Sequence, residues 1–472
     1  MTTARLEPSA APLRLGAITF LMGLAQLVIT SDFSIVSVAL PAIGQGLAIP
    51  ADHLAWVVSA NGAVFAGFLI IGGRLTDAMG HRQSLTWGLL LFGAGSLLSG
   101  LSVNLWMLLA ARCLQGLGGA LISPASFSLI HAFLPEGPPR HRAMGVFAAM
   151  QGLSVIVGLV LGGFLATQVG WRAVFFLNLP LLAACLALTL TVLPKPSSAG
   201  RGRALDDLVG ALLIAGSTGV LLSALSALGE HGLVSWRGGG ALAAALAGFA
   251  GFFWREARHA SPLLPPALFR SENLTGGALA LMGLIGGFGG LFVLTSLYLQ
   301  NGLGYSAAAA GLAMTPIALA TMAAGPCAPP LMKRWPLRSL AIGGLSLEIA
   351  ALVLLALAVP LGRYLELVAP LAFGAVFGST TAFMALMSLA LARAPKESQG
   401  AASGLLFTAQ QIGLPAGVVV TLTVFSTLSD GPALAAYGAG FLAPAAMLAG
   451  GLAAVVLMTR TSHQVMDKSQ TS

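Results

Sequence analysis

The sequence predicts an all-α integral membrane protein with fourteen transmembrane helices, on the basis of its composition, its long apolar runs and the placement of its basic residues. Of the 472 residues, 57% are hydrophobic and only 8% are charged, whereas a soluble domain carries about 25% charged residues. The chain also contains 60 glycines. Glycine is frequent in membrane helices because small side chains let helix backbones approach closely.

Apolar runs of membrane-spanning length follow one another along the whole chain. A hydrocarbon core about 30 Å thick needs about 20 apolar helical residues. Runs of about that size lie at 14–40, 54–73, 84–103, 105–130, 143–167, 172–193, 207–229, 239–254, 274–300, 307–331, 338–359, 366–391, 402–428 and 434–459. The eighth is the weakest because it is short. The seventh holds an uncharged stretch from Leu208 to Gly229, which favours fourteen spans over twelve.

The basic residues fix the predicted orientation. With both termini in the cytoplasm, the inside segments hold 19 of the 23 Lys and Arg residues and the outside segments hold three, while Arg112 lies within a span. Cytoplasmic loops of membrane proteins carry such an excess. We therefore expect a multi-pass protein of a bacterial inner membrane with both termini inside. The same clusters explain the net charge of +8 without a nucleic-acid partner.

The loop between the second and third runs contains a recognisable motif. It reads Gly73-Arg-Leu-Thr-Asp77-Ala-Met-Gly80-His81-Arg82. This resembles the loop signature of the major facilitator superfamily, Gly-x-Leu-Ala-Asp-x-x-Gly-Arg-Arg or Lys, with histidine in place of one arginine. The resemblance implies that Gly73, Asp77, Gly80 and Arg82 form a cytoplasmic gating loop; the alternative is an ordinary charged loop.

Two charged residues lie inside apolar runs near the N-terminus. The segment from Ser31-Asp32-Phe to Pro41 resembles the first-span signature of the drug:proton antiporters in that superfamily. Arg112-Cys-Leu-Gln115-Gly matches the fourth-span pattern Arg-x-x-Gln-Gly, in which the family resemblance implicates the arginine in proton coupling. Ionisable residues inside spans are expensive and usually functional. We therefore predict that Asp32 and Arg112 couple a proton to transport.

The two charges are predicted to lie at the same depth. Asp32 is eight residues from the outer end of its run near Leu40, and Arg112 is seven residues from the outer end near Leu105. At about 1.5 Å of rise per residue, both lie roughly 11–12 Å below that end. An acid and a base at equal depth can pair. The alternative role is a static ion pair that sets helix register.

Small residues in the fifth run resemble another motif of the antiporters, Gly-x8-Gly-x3-Gly-Pro-x2-Gly-Gly. Gly158, Gly162 and Gly163 match, and we expect them to form a flat face for close helix packing. Leu159 stands where the motif has proline. This departure leaves symport open. Trp171-Arg172 through Asn178-Leu-Pro180 resembles the start of the sixth span, where Trp171 is expected to be an interfacial anchor.

Glu348 is a second embedded acid, near the centre of the run 338–359. A charge at that depth costs at least about 3 kcal/mol. We interpret Glu348 as a second proton site or a cation site. The alternative is a protonated acid that is hydrogen-bonded within a helix interface.

The resemblance covers nearly the whole chain and, with the two additional spans, identifies it as similar to the fourteen-span drug:proton antiporters. It implies two six-helix halves, 1–194 and 272–472, joined by a segment 195–271 that carries two additional transmembrane helices. The expected function is proton-coupled export of small amphipathic compounds, including cationic ones, as in multidrug efflux and antibiotic resistance. We expect a monomer that is not an enzyme, with no cofactor and no metal. The alternatives are a same-fold transporter dedicated to one endogenous metabolite, either exporter or symporter, and a non-transporting membrane sensor.

Overall fold

A computed structural model describes ten stretches of the chain, and most of their residues are helical. The stretches are 11–49, 51–135, 137–194, 208–231, 235–259, 268, 271–305, 307–392, 399–428 and 433–458. Within these stretches there is no β-strand. The predicted all-α class is therefore confirmed over the described residues.

Seventeen α-helices, numbered here in chain order, make up this part of the chain. They are α1 (Ala11–Leu47), α2 (Ala51–Met79), α3 (His81–Gly100), α4 (Leu105–Phe133), α5 (Pro138–Gln168), α6 (Arg172–Phe176), α7 (Asn178–Val192), α8 (Leu208–His231), α9 (Ala241–Glu256), α10 (Glu272–Leu297), α11 (Ala307–Ala313), α12 (Thr315–Arg334), α13 (Leu337–Ala358), α14 (Ala369–Leu391), α15 (Gln399–Leu428), α16 (Ala433–Gly440) and α17 (Leu442–Met458). Short π-helical or 3₁₀ turns connect several of them, at Trp236–Gly240, Tyr298–Gly302, Val359–Leu361 and Tyr364–Val368.

Ten helices of the described residues are long and apolar enough to cross a membrane. The other four predicted runs coincide with α3, α5, α8 and α9, which are helical but do not count among those ten. The structure therefore shows an all-helical protein with ten candidate spans, and the number fourteen stays a prediction.

The chain divides into two compact units. The first comprises residues 1–205 with 396–404, and the second comprises residues 206–395 with 405–472. In the first unit α1 packs on α5, and α4 packs on both α2 and α3. In the second, α13 packs on α14, α10 on α17, and α8 on α9. This division groups α8 and α9 with the second unit, while the predicted boundaries at 194 and 272 stay predictions.

Local sequence determines where the helices of the first unit begin. Gly80, with φ 84°, and Gly137, with φ 93°, precede α3 and α5. Residues with a Cβ atom rarely adopt such backbone angles, so glycine is needed at both turns. Asn104 precedes α4, and its side-chain oxygen accepts the Met107 N–H at 2.9 Å. This bond satisfies one of the unpaired donors at the helix start.

Two glycines of α5 lie directly against the part of α1 that carries Asp32. A Cβ atom added to Gly158 would clash with the Ser34 side chain and lie 3.3 Å from the Ser31 carbonyl oxygen. One added to Gly162 would lie 3.0 Å from the Ile35 Cα. The two helices therefore approach closely here because neither position has a side chain. Gly163 lies in the same helix, and its packing role stays a prediction.

The substitution Gly158→Ala is expected to destabilise the protein by about 1–3 kcal/mol, because overpacking forces the neighbouring helix to shift. The measurement is thermal unfolding of the purified protein in detergent. Gly16→Ala in α1 is the matched control, since no atom lies within 4 Å of the position of its added Cβ. Equal melting temperatures for the two variants would contradict the close packing of α5 on α1.

Candidate functional site

Helices α1 and α4 bring Asp32 and Arg112 into a buried ion pair. The Arg112 Nη1 donates to the Asp32 Oδ2 at 2.6 Å. The Arg112 side chain is 0% exposed and the Asp32 side chain is 2% exposed. The pairing predicted from equal depth is therefore confirmed, although the geometry alone does not assign a role in proton coupling. A buried charge is tolerated only when it is paired and hydrogen-bonded.

The second oxygen of the Asp32 carboxylate is held by two neutral amides. The Asn178 Nδ2 donates to the Asp32 Oδ1 at 2.7 Å. The Gln115 Nε2 donates to the same oxygen at 3.1 Å. Both carboxylate oxygens are therefore hydrogen-bonded. Arg112 and Gln115 donate from α4, and Asn178 donates from the start of α7.

The guanidinium of Arg112 is likewise saturated with acceptors. Its Nε donates to the Val57 carbonyl oxygen at 2.9 Å, and its Nη1 also donates to the Gln115 Oε1 at 2.9 Å. With the Asn61 amide turned so that its oxygen faces Arg112, that oxygen accepts from Nη1 at 3.2 Å and from Nη2 at 3.1 Å. Helix α2 thus supplies two acceptors to a charge carried by α4.

A serine on α3 completes the network. The Ser96 hydroxyl oxygen accepts from the Gln115 Nε2 at 2.8 Å and from the Asn178 Nδ2 at 3.1 Å. Four of these residues were not predicted from the sequence as members of the site: Asn61, Ser96, Gln115 and Asn178. Gln115 and Asn178 belonged to recognised motifs, so a signal was present. Asn61 and Ser96 are neutral residues within apolar runs and carry no motif.

Asn178 is placed by a break in the sixth predicted span. The five-residue helix α6 ends at Phe176, and α7 begins at Asn178. Trp171, before α6, contacts Gly46 and packs in a core with Ile35 and other apolar residues of α1. Because Trp171 is only 6% exposed, the prediction of an interfacial anchor is wrong. The ring fills the protein interior and fixes the segment that leads to Asn178.

The motif loop between α2 and α3 binds the first turn of α15. The two Asp77 carboxylate oxygens accept the backbone N–H groups of Gly400 at 2.7 Å and Ala401 at 2.8 Å. Free N–H groups and the positive end of the helix dipole favour a carboxylate there. Gly73 lies against the Gly400 carbonyl oxygen, where a side chain would clash. All four residues of this contact belong to the first unit.

The remaining residues of the loop also have defined positions. Arg82 Nη2 donates to the Leu190 carbonyl oxygen near the end of α7, at 2.9 Å. His81 packs edge-on against Phe133, with ring centroids 5.9 Å apart. Burial lowers the pKa of His81 to about 4. This histidine is therefore neutral at pH 7, and the loop lacks the charge that arginine supplies at this position of the motif.

Glu348 lies in the second unit and belongs to a different environment. It is fully buried in α13, and neither carboxyl oxygen has a hydrogen-bond partner. One turn earlier, Gly344 packs tightly on α14, where an added Cβ would lie 2.6 Å from the Gly378 carbonyl oxygen. The Ser379 hydroxyl is the neighbouring polar group on α14. The structure thus places a buried acid in a close helix interface, with a neutral hydroxyl as its polar neighbour.

No group of three or more His, Cys, Asp or Glu side chains among the described residues is arranged to hold a metal ion. What the site of the first unit offers is a single acid whose charge is balanced by one arginine. The chemistry available to such an arrangement is the binding and release of a proton.

Replacing Arg112 by glutamine is expected to cost about 3–5 kcal/mol of stability, because Asp32 is left buried without a counter-charge. The double variant Asp32→Asn with Arg112→Gln removes both charges, and we expect it to recover most of that loss. Denaturant or thermal unfolding in detergent measures both effects. If the single and double variants are equally unstable, the ion pair is not what balances Asp32.

Comparisons with known proteins agree with the fold and the motifs. The sequence profile of the Major Facilitator Superfamily matches residues 22–418. A cephamycin export protein of Amycolatopsis lactamdurans is 34% identical over 414 residues, which cover 86% of this chain and 84% of that protein. A puromycin resistance protein of Streptomyces alboniger is 33% identical, covering 88% and 82%. A multidrug resistance protein of Mycobacterium tuberculosis is 32% identical, covering 86% and 74%.

Solved structures share the fold at low sequence identity. The human organic anion transporter MFSD10 aligns with a TM-score of 0.67 at 16% identity, covering 93% of this chain and 99% of that one. A Major Facilitator Superfamily transporter, FucP, in the outward conformation aligns with a TM-score of 0.61 at 14% identity, covering 94% of this chain and 99% of that one. The profile match over most of the chain, the relatives and the shared helical fold together show that this chain is a transporter of the Major Facilitator Superfamily.

Proposed function

We propose that the chain is a proton-coupled antiporter that exports small amphipathic compounds by alternating access. The observation that carries this proposal is the buried Asp32–Arg112 pair, whose charges are 2.6 Å apart and shielded from water. A proton on Asp32 removes the charge that holds Arg112, and the pair then loses its electrostatic attraction. Proton binding is therefore able to change how α1 and α4 are held together.

The names of the relatives support export as the direction of transport. Three are named for the export of cephamycin, resistance to puromycin and multidrug resistance. The Asp77 contact with the start of α15 fits a gate on the cytoplasmic side, since two short hydrogen bonds can form and break as a unit. We propose that Gly73, Asp77, Gly80 and Arg82 act as this gate.

The membrane arrangement proposed here has fourteen spans, both termini in the cytoplasm and a monomer in a bacterial inner membrane. The helices α3, α5, α8 and α9 at the four remaining predicted runs support the number. The excess of Lys and Arg in the inside segments supports the orientation. The proposed domains are the halves 1–194 and 272–472 and the two-helix segment 195–271 between them.

A transporter dedicated to one compound is the competing function. Relatives named for a single antibiotic, such as tetracenomycin C or lincomycin, favour a narrow substrate range. Leu159 stands where the antiporter motif has proline, and this difference leaves both antiport and symport as alternatives. Accumulation of several unrelated dyes and drugs in cells with and without the protein separates a broad exporter from a dedicated one.

Glu348 is proposed as a second site, for a proton or a cationic substrate. Glu348 is fully buried, and the polar group that acts on it from α14 is the neutral Ser379 hydroxyl. A charge buried in a helix interface is costly unless an opposite charge balances it, and the Ser379 hydroxyl carries none. An acid at this position therefore weakens the helix interface. We propose that it is present because it exchanges a proton or binds a cationic substrate.

Inverted membrane vesicles that are acidic inside are expected to release protons when a transported amphipathic compound is added. A pH-sensitive dye measures this release. Asp32→Asn is expected to abolish it, because the acid that exchanges the proton is gone. The control Glu366→Gln removes an exposed acid, 62% accessible and paired with Arg363, and should behave like the parent. Parental proton release from the Asp32→Asn vesicles would disprove the proposed coupling.

Glu348→Gln keeps the shape of a neutral carboxyl but cannot exchange a proton. We expect this variant to fold normally and to release fewer protons for each substrate molecule taken up. The ratio is obtained from dye signal and labelled substrate in the same vesicles, with monovalent and divalent cationic compounds compared. An unchanged ratio and unchanged handling of both classes would assign Glu348 a structural role only.

A further inference from the structure

Asn178 is the member of the Asp32 network that has an unused hydrogen-bonding group. Its side chain is 1% exposed, and its Oδ1 is buried without a partner. Its Nδ2, by contrast, donates both to the Asp32 Oδ1 and to the Ser96 Oγ. The Asn178 amide therefore uses its Nδ2 to donate to the carboxylate, while its Oδ1, which can accept hydrogen bonds, has no partner.

The network as arranged contains no free acceptor beside the Asp32 Oδ1. The Asn61 amide approaches the other carboxylate oxygen, Oδ2, at 3.3 Å, and its oxygen, when turned toward Arg112, already accepts from Nη1 and Nη2. Arginine only donates, so Arg112 cannot accept the new O–H group. The Gln115 Oε1 is already occupied, by Arg112 at 2.9 Å and by the Ser99 hydroxyl at 3.4 Å. An O–H group that is buried without an acceptor is costly. Proton binding at Asp32 thus demands a rearrangement of its neighbours.

We propose that Asn178 is a positioning residue for proton coupling and that its amide turns by half a rotation when Asp32 binds a proton. This proposal rests on the proposed function, in which Asp32 carries the transported proton. The proton joins the Asp32 Oδ1, and the turned Asn178 Oδ1 accepts the resulting O–H. The Ser96 hydroxyl, which can donate as well as accept, bonds to the same amide oxygen.

No other charge among the described residues competes with this arrangement. The helices packed against α1 at this level contribute Asn61 from α2, Arg112 and Gln115 from α4, Gly158 and Gly162 from α5, and Asn178 from α7. From α6, Arg172 instead donates to the Ser102 carbonyl oxygen. Asp32 and Arg112 are thus the charged pair, and Asn178 is the neutral amide in contact with Asp32 whose oxygen is buried without a partner.

The test is the infrared difference spectrum of the purified protein between high and low pH. Asp32→Asn identifies the carboxylic acid band of Asp32 by removing it. In the parent we expect the frequency of an acid that donates a hydrogen bond. In Asn178→Leu the band should shift to that of an unbonded acid. Thr189→Val is the matched control, because Thr189 is buried in the same helix and bonds only to the Cys185 carbonyl oxygen.

Transport supplies the second readout. Leucine at position 178 removes a bond to a carboxylate and a bond to a neutral acid, and the bond to the charged group is the stronger. We therefore expect the pH of half-maximal substrate-driven proton release to rise by about one unit or less. Asn178→Ser, too short to reach Asp32, replaces the leucine variant if that variant does not elute as a folded protein.

The outcomes separate the two proposals. An identical acid band and pH profile in the parent and the Asn178 variants would overturn the role of Asn178, while loss of proton release in Asp32→Asn would leave the proposed function standing. If Asp32→Asn releases protons like the parent, the proposed function fails and the role of Asn178 fails with it.

Discussion

The interaction on which the first unit depends is the ion pair between Asp32 and Arg112. A guanidinium and a carboxylate without access to solvent need a partner for every donor and acceptor, since each unmet group costs free energy. This need accounts for polar residues at one level of helices that are otherwise apolar, including Asn61, Ser96 and Gln115. Four helices and the start of α7 are thereby held in register by hydrogen bonds rather than by apolar packing alone.

The packing around the ion pair is apolar rather than polar, and it also holds α1 in place. Gly158 and Gly162 bring α5 against the backbone of α1, and Trp171 fills the space beside the next turns. Close packing on one side and saturated hydrogen bonds on the other leave α1 little freedom while both charges persist. Under the proposed function, protonation of Asp32 removes one of these charges and weakens the hold of α4 on α1.

Hydropathy, basic residues and motif spacing were sufficient to predict the helices and the pairing of Asp32 with Arg112. The pairing was predictable because helical rise is constant, so that counting residues from the run ends gives depth. The partners of Asp77 were not, because Gly400 lies 323 residues away and offers only its backbone. Asn61 and Ser96 could not be predicted as site residues, because a single neutral polar residue in an apolar run is not part of a recognisable motif. Trp171 was misplaced because an aromatic residue near a run end is equally common at the membrane interface and in a core.

The two embedded acids show that burial alone does not define what a carboxyl does. Asp32 is surrounded by an arginine and two amides that match its negative charge. Glu348 is equally buried, and the polar group beside it is the neutral Ser379 hydroxyl rather than a positive charge. The first environment supplies an opposite charge to the carboxyl, and the second supplies a neutral hydroxyl. Under the proposed function the two acids therefore have different tasks: Asp32 exchanges its proton beside a counter-charge, and Glu348 exchanges a proton or binds a cation without one.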